Sequence, residues 1–198
     1  MSNDFSPTAR TTPRRHSERM GYEERAVHEV LDEALYCTVS FVGSDGTPQV
    51  IPTFHGRIGN RLYFHGSTGS TVGLADESGF AVAVNATVVD GLVFAKSWPN
   101  HSSNYRSVIA HGVARTVTDA DEKWAAMRAL IDRMEAGRSD VTRPPDAKED
   151  AQVRFLYLDL DEVGVKVREG LAAEVAADAT VDCETGIAPV RTVVHPRE

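Results

Sequence analysis

Six consecutive residues, Gly66-Ser67-Thr68-Gly69-Ser70-Thr71, carry either a hydroxyl or no side chain at all, and they follow directly on the run Leu62-Tyr63-Phe64-His65. Hydroxyls from Ser67, Thr68, Ser70 and Thr71, with backbone N–H groups bared by the glycines, form a donor set suited to an anion, most often phosphate. A helix beginning just after them would add its N-terminal N–H groups. The segment is not a P-loop, because no Gly-Lys-Ser/Thr follows. Composition alone leaves a solvent-exposed linker as the alternative. A second stretch, Asn100 to Gly112 (NHSSNYRSVIAHG), sets Arg106 near the start of a long strand after a polar loop. In extended backbone Tyr105 and Ser107 share one face and Arg106 takes the other. A guanidinium fork suits phosphate or carboxylate; the alternative is a surface arginine. Histidines 55, 65, 101 and 111 fall on strands or strand ends without forming a triad or a ligand pair. No Gly-x-Ser-x-Gly and no obligatory pair of carboxylates occurs. No catalytic acid is named by the sequence, and His65 and Arg106 are the candidate catalytic residues.

The elements that must hold these residues can be read from periodicity. Val27, Val30, Leu31, Ala34 and Leu35 repeat at helical spacing. The period then drops to two in YCTVSFV, with Cys37, Val39 and Phe41 on one face. After a GSDG turn, PQVIPTFHGRI reads as a second strand, kept by Pro48 and Pro52 from full pairing. Gly59-Asn60 is a hairpin turn into the third strand, RLYFH. A short helix is expected after the Gly/Ser/Thr loop. FAVAVNATVV and LVFAKS read as two strands joined by a turn at Asp90-Gly91, followed by the long strand YRSVIAHGVARTVT. Asp119 and Glu122 form a capping-box pattern before a helix with Trp124, Met127, Leu130, Ile131 and Met134 on one face, ended by Gly137. A proline-containing loop leads to the strands VRFLYLDLDEV and GVKVREG. Six or seven hairpin-linked strands with few helices predict an antiparallel barrel with peripheral helices, mostly β, and exclude a Rossmann alternation. Residues 1–20 are expected to form a flexible arm, 21–170 the barrel domain and 171–198 a loose tail.

The chain has 198 residues and a net charge of −8, which disfavours nucleic acid as a partner but permits a local anion site. Cys37 and Cys183 show neither metal spacing nor a disulfide framework. No apolar run approaches a membrane span, and the N-terminus lacks an apolar signal core, so no membrane and a cytoplasmic location are expected.

Taken together, LYFHG and NYRSV, about 40 residues apart, with TVSFVGSDGTPQVIPTFHGRIG before them and VGVKVREG after, resemble the pyridoxamine 5'-phosphate oxidase-like flavin proteins over residues 20–170. The chain is most similar to the nitroimidazole-resistance (Nim-type) branch. The resemblance implies an FMN-binding split β-barrel, a homodimer with the flavin between subunits, and oxidoreductase chemistry between a reduced nicotinamide and a small electron-poor acceptor. It implies Val50, Ile51, Pro52 and Thr53 along the flavin ring and His65, Gly66, Ser67, Ser70 and Thr71 at the ribityl-phosphate end. Ser103, Asn104, Tyr105 and Arg106 would close the site, with Lys166 and Arg168 as a basic pair. Relatives commonly carry a basic residue where this chain has Thr71, which keeps the deazaflavin F420 open as an alternative to FMN. A non-catalytic flavin- or haem-binding protein is the rival class.

Overall fold

The computed structural model describes residues 4–67, 78–173 and 175–195, with the backbone alone for Ser67. Its first full helix, α1 (Glu24–Glu33), buries Val27, Val30 and Leu31. Strand β2 (Tyr36–Val42) follows with strict alternation, burying Cys37, Val39 and Phe41. Asp45 and Gly46 make the turn: the Asp45 carboxylate accepts from the Thr47 N–H and hydroxyl, and Gly46 takes φ +78°. Strand β3 (Pro48–Ile58) then pairs with β2 from Pro48 to Phe54.

Strand β4 (Arg61–Ser67) turns back over Gly59, at φ +57°, but pairs with β3 only through His55–Ile58. Beyond that point the two strands part. Among the described residues, 48–54 of β3 keep β2 on one edge and no strand on the other. Residues 65–67 of β4 pair, among the described residues, only with β7 (Val153–Asp159). This parting is the split in the barrel.

Strands β5 (Phe80–Phe94) and β6 (Ser102–Thr116) form a long antiparallel pair. The ring runs β6-β7-β4-β3-β2-β5 and back to β6. Strand β8 (Glu162–Arg168) lies on the free part of β6, with the short β1 (Met20–Gly21) outside it. Strand β9 (Gly186–Pro189) lies on the end of β5. Helix α1 packs with Leu62, Phe64, Leu156, Leu158, Val84 and Val108 in one core. Helix α2 (Ala120–Asp132) packs on β3 and, through a second core of Tyr63, Phe155, Ala126 and Leu130, on the outer face of β4 and β7.

Several expectations change. The turn expected at Asp90-Gly91 is absent, because β5 is one strand with a register shift between Val89 and Gly91. Gly91 is not used there for a left-handed φ. It leaves room for β9: a Cβ at Gly91 would lie 2.8 Å from Cγ2 of Ile187, and the Val190 N–H donates to the Asp90 carbonyl at 3.0 Å. The capping box of α2 is half formed. Asp119 accepts from the Glu122 N–H at 2.8 Å, but the Glu122 carboxylate instead accepts from Arg61 and Tyr63. The proline-containing loop holds a short helix, α3 (Ala147–Gln152), with a full capping box from Asp146 and Glu149. Where an arm was expected to be flexible, Phe5 bonds the Tyr22 carbonyl at 2.8 Å, Thr8 and Arg10 both reach Glu162, and Thr11 is buried. The tail expected to be loose contributes β9.

Candidate functional site

The residues singled out from sequence fall into separate groups. The first is the free edge of β3. Val50, Ile51, Pro52 and Thr53 stand opposite Ser40, Val39, Thr38 and Cys37 of β2, and among the described residues no strand lies beyond them. Pro52 has no N–H for a ladder, so an edge position suits it. The edge leaves backbone polar groups that need partners. Val50 is 64% exposed.

The second group is the end of β4. Alternation sends Leu62 and Phe64 into the barrel core and Tyr63 to the outer face with α2. His65 follows Tyr63 outward. It stands opposite Phe155 in register, and the two ring centroids are 5.9 Å apart. His65 keeps an exposed side toward the solvent, and partial burial of its imidazole holds the pKa below the ordinary value. It has no hydrogen-bond partner among the described residues. His65 forms one wall of an open cleft of about 700 Å³, with Phe155 and Val153 of β7 and Trp124, Met127 and Ile131 of α2 as its other apolar walls. Gly66 is opposite Arg154. Ser70, Thr71 and the helix expected after them lie outside the described residues.

The third group is the start of β6 with the end of β8. Tyr105 stands opposite Arg168, and Ser107 opposite Lys166. Arg168 is buried; it donates to Oδ1 of Asn104, to the Gly170 carbonyl at 2.6 Å and to the Leu171 carbonyl at 3.1 Å. Its fork therefore fixes the chain leaving β8. Lys166 has no ion pair or hydrogen bond among the described residues. Ser103 is half-buried beside Asn104.

Arg106 is not part of that surface. As alternation requires, it turns to the opposite face of β6, toward α1. Both of its terminal nitrogens meet Glu33, at 2.6 and 3.0 Å, and Nε and Nη2 meet Asp90 at 3.0 and 2.7 Å. The hydrogen bonds it donates to Asp90 and Glu33 raise its pKa further. The Arg106 charge is thus committed to two carboxylates, and the β5 bulge is what aims Asp90 at it. Neither carboxylate is marked as its partner in the sequence, where Asp90 reads as part of a turn.

Topology keeps these groups apart. In the ring, β3 and β6 are three strands from each other in either direction. One chain alone does not bring Val50–Thr53 against Asn104, Tyr105 and Lys166.

A further buried cluster lies at the end of α1. The His55 imidazole is fully buried, donates from Nε2 to the Leu31 carbonyl at 2.8 Å and leaves Nδ1 without a partner. Burial lowers its pKa to about 4. Arg133 donates to the carbonyls of Leu31 and Ala34 at 2.9 and 2.5 Å, closing the helix C-terminus. Burial lifts the Cys37 thiol to about 12, which makes it inert. Among the described residues no group of histidine, cysteine and carboxylate side chains is placed to hold a metal ion by itself. No helix among them is long and apolar enough to cross a membrane.

The family model described as pyridoxamine 5'-phosphate oxidase matches residues 23–167. A solved flavocytochrome, Anf3 from Azotobacter vinelandii, is similar at 31% identity and TM-score 0.88, over 98% of this chain and 90% of that one. An FAD and haem binding protein from Mycobacterium smegmatis is similar at 32% identity and TM-score 0.81, over 91% of this chain and 88% of that one. A 5-nitroimidazole antibiotic resistance protein from Bacteroides thetaiotaomicron shares the fold at 16% identity and TM-score 0.59, over 75% of this chain and 86% of that one. Among curated proteins none matches this chain.

Proposed function

We infer, from the premise that this chain belongs to the pyridoxamine 5'-phosphate oxidase family, that it is a flavin-binding redox protein with haem as a second cofactor. The observation that carries the flavin is the parted pair of strands. On the family's scaffold, the unpaired edge of β3 at Val50–Thr53 lies beside the overrun of β4 at His65–Ser67. Backbone groups on such an edge can bond the polar rim of a planar heterocycle, while the hydroxyl-rich segment that follows suits its phosphate. A flavin supplies two-electron and one-electron chemistry; the protein supplies position and electrostatics. We take the electron donor to be a reduced nicotinamide and the acceptor a small molecule. Two relatives above 30% identity are named for a flavin together with haem or a cytochrome, and this favours haem here as well.

The flavin is FMN or FAD: the family resemblance points to FMN, and the name of the M. smegmatis relative points to FAD. The separation of β3 from β6 within the ring supports a homodimer in which Asn104, Tyr105 and Lys166 of one copy complete the site of the other. The test is an absorption spectrum of the purified protein, followed by mass identification of the released flavin and anaerobic titration with NADPH. Flavin bands that bleach on titration support the reading. A protein that neither carries nor takes up FMN or FAD overturns it.

A further inference from the structure

We propose that the cleft between β4, β7 and α2 is the haem site, with His65 as the axial ligand to iron. This rests on the flavin-and-haem reading above and assigns that second cofactor a place. Three observations lead there. The cleft has the size of a cofactor pocket, about 700 Å³, and its walls are apolar and aromatic: Phe155, Val153, Trp124, Met127 and Ile131. A porphyrin is a large apolar disc, and walls of this kind exclude water from its faces. Second, one imidazole enters this apolar space. His65 is held by a strand rather than a loop, its ring is braced by Phe155, and neither nitrogen has a hydrogen-bond partner among the described residues. A neutral imidazole with a free nitrogen is what iron requires.

Third, two guanidiniums, Arg128 and Arg143, stand on the cleft lining, and a haem carries two propionates. Each arginine now meets a carboxylate in an exposed pair, Asp140 at 3.0 Å and Glu149 at 2.7 Å. Exposed pairs of this kind are weak and can be shared with an incoming carboxylate. The other histidines fit less well. His55 is sealed in the barrel and already bonded to Leu31. His101 holds the Ser97 carbonyl at 3.0 Å, and His28 holds Asn60 at 2.6 Å. The flavin reading takes the β3 edge and the backbone of the β4 overrun, whereas the His65 side chain, expected from family resemblance at the flavin phosphate, lines the cleft on the outer face of β4 instead. The two cofactors therefore have separate places close to one another, as electron transfer between them needs.

The experiment titrates the full-length protein, freed of cofactor, with ferric haem and follows the Soret band and the electron paramagnetic resonance spectrum, with flavin content measured in parallel. The unaltered chain is expected to give the spectrum of a histidine-ligated haem. His65→Ala is expected to weaken haem binding at least tenfold and lose that signature, and added imidazole is expected to restore it. Ile131→Trp, which keeps the histidine and fills the cleft, is expected to weaken binding as well. His65→Ala protein with unchanged affinity and Soret position overturns the assignment while leaving haem binding standing, as does an unchanged Ile131→Trp. An unaltered chain that takes up no haem overturns the haem reading itself.

Discussion

Replacing Arg106 with alanine separates two roles for the same residue. In the structure its guanidinium is clamped between Glu33 of α1 and Asp90 at the β5 bulge. Removing it leaves two carboxylates facing each other without a cation. The Arg106 side chain is 29% exposed, Asp90 36% and Glu33 52%. A fully buried pair broken on one side would cost about 3–5 kcal/mol, and an exposed pair about 0–1 kcal/mol. Partial exposure screens both contacts here, so the expected loss is roughly 2 kcal/mol, most of it from Asp90. For a protein of this length each kcal/mol moves the melting temperature by about 2–4 °C, giving a drop of about 4–8 °C. Calorimetry on Arg106→Ala, Asp90→Asn and the double variant measures it. The double variant should melt closer to the unaltered protein than Arg106→Ala does, because the uncompensated Asp90 charge is gone. If Arg106→Ala melts normally yet loses its flavin on desalting, the arginine serves the cofactor and the carboxylate clamp is incidental.

Other outcomes follow from the buried groups. His55 has a folded pKa of about 4, below the unfolded value of 6.5. The unfolded chain therefore binds the extra proton between these values, so stability is full above pH about 6.5 and falls as pH drops toward 4, by up to about 3 kcal/mol. Urea midpoints at pH 5 and 8 should show this slope, and His55→Gln should flatten it. Gly56→Val is expected to cost about 1–3 kcal/mol in urea unfolding, since a Cβ there would lie 2.9 Å from Cδ1 of Leu130 and 3.4 Å from backbone of Ala129. Of the free cysteines, exposed Cys183 should react quickly with a disulfide reagent in the native protein, and buried Cys37 only after unfolding.

Much of this architecture is legible in the sequence because its causes are local. The alternation of Cys37, Val39 and Phe41, the glycine turn at Gly59 and the stripe Val27, Val30 and Leu31 each act within a few residues. The failures have long-range causes. Asp90-Gly91 looks like a turn by composition, but β9 lays Ile187 against Gly91 and keeps the strand running. Arg106 looks like a free anion ligand because Glu33 lies 73 residues away in sequence. The apolar cleft was also invisible, since Trp124, Met127 and Phe155 read as ordinary core positions until α2 is placed over β4.

The distance between β3 and β6 in the ring leads to the last expected outcome. The β3 edge at Val50–Thr53 and NYRSV on β6 are linked by family resemblance, yet a single chain holds their strands on opposite sides of the barrel. If both contribute to one flavin site, that site forms only between two copies, and flavin binding must be coupled to association by mass action. Light scattering at micromolar concentration should then return twice the chain mass of 21.5 kDa. Diluting the protein until it dissociates should release the flavin along the same curve, and excess flavin should shift that curve to lower protein concentration. A 21.5 kDa species that holds a full complement of flavin would show that the free β3 edge and the end of β4 bind it alone, and that Asn104, Tyr105 and Lys166 belong to some other surface.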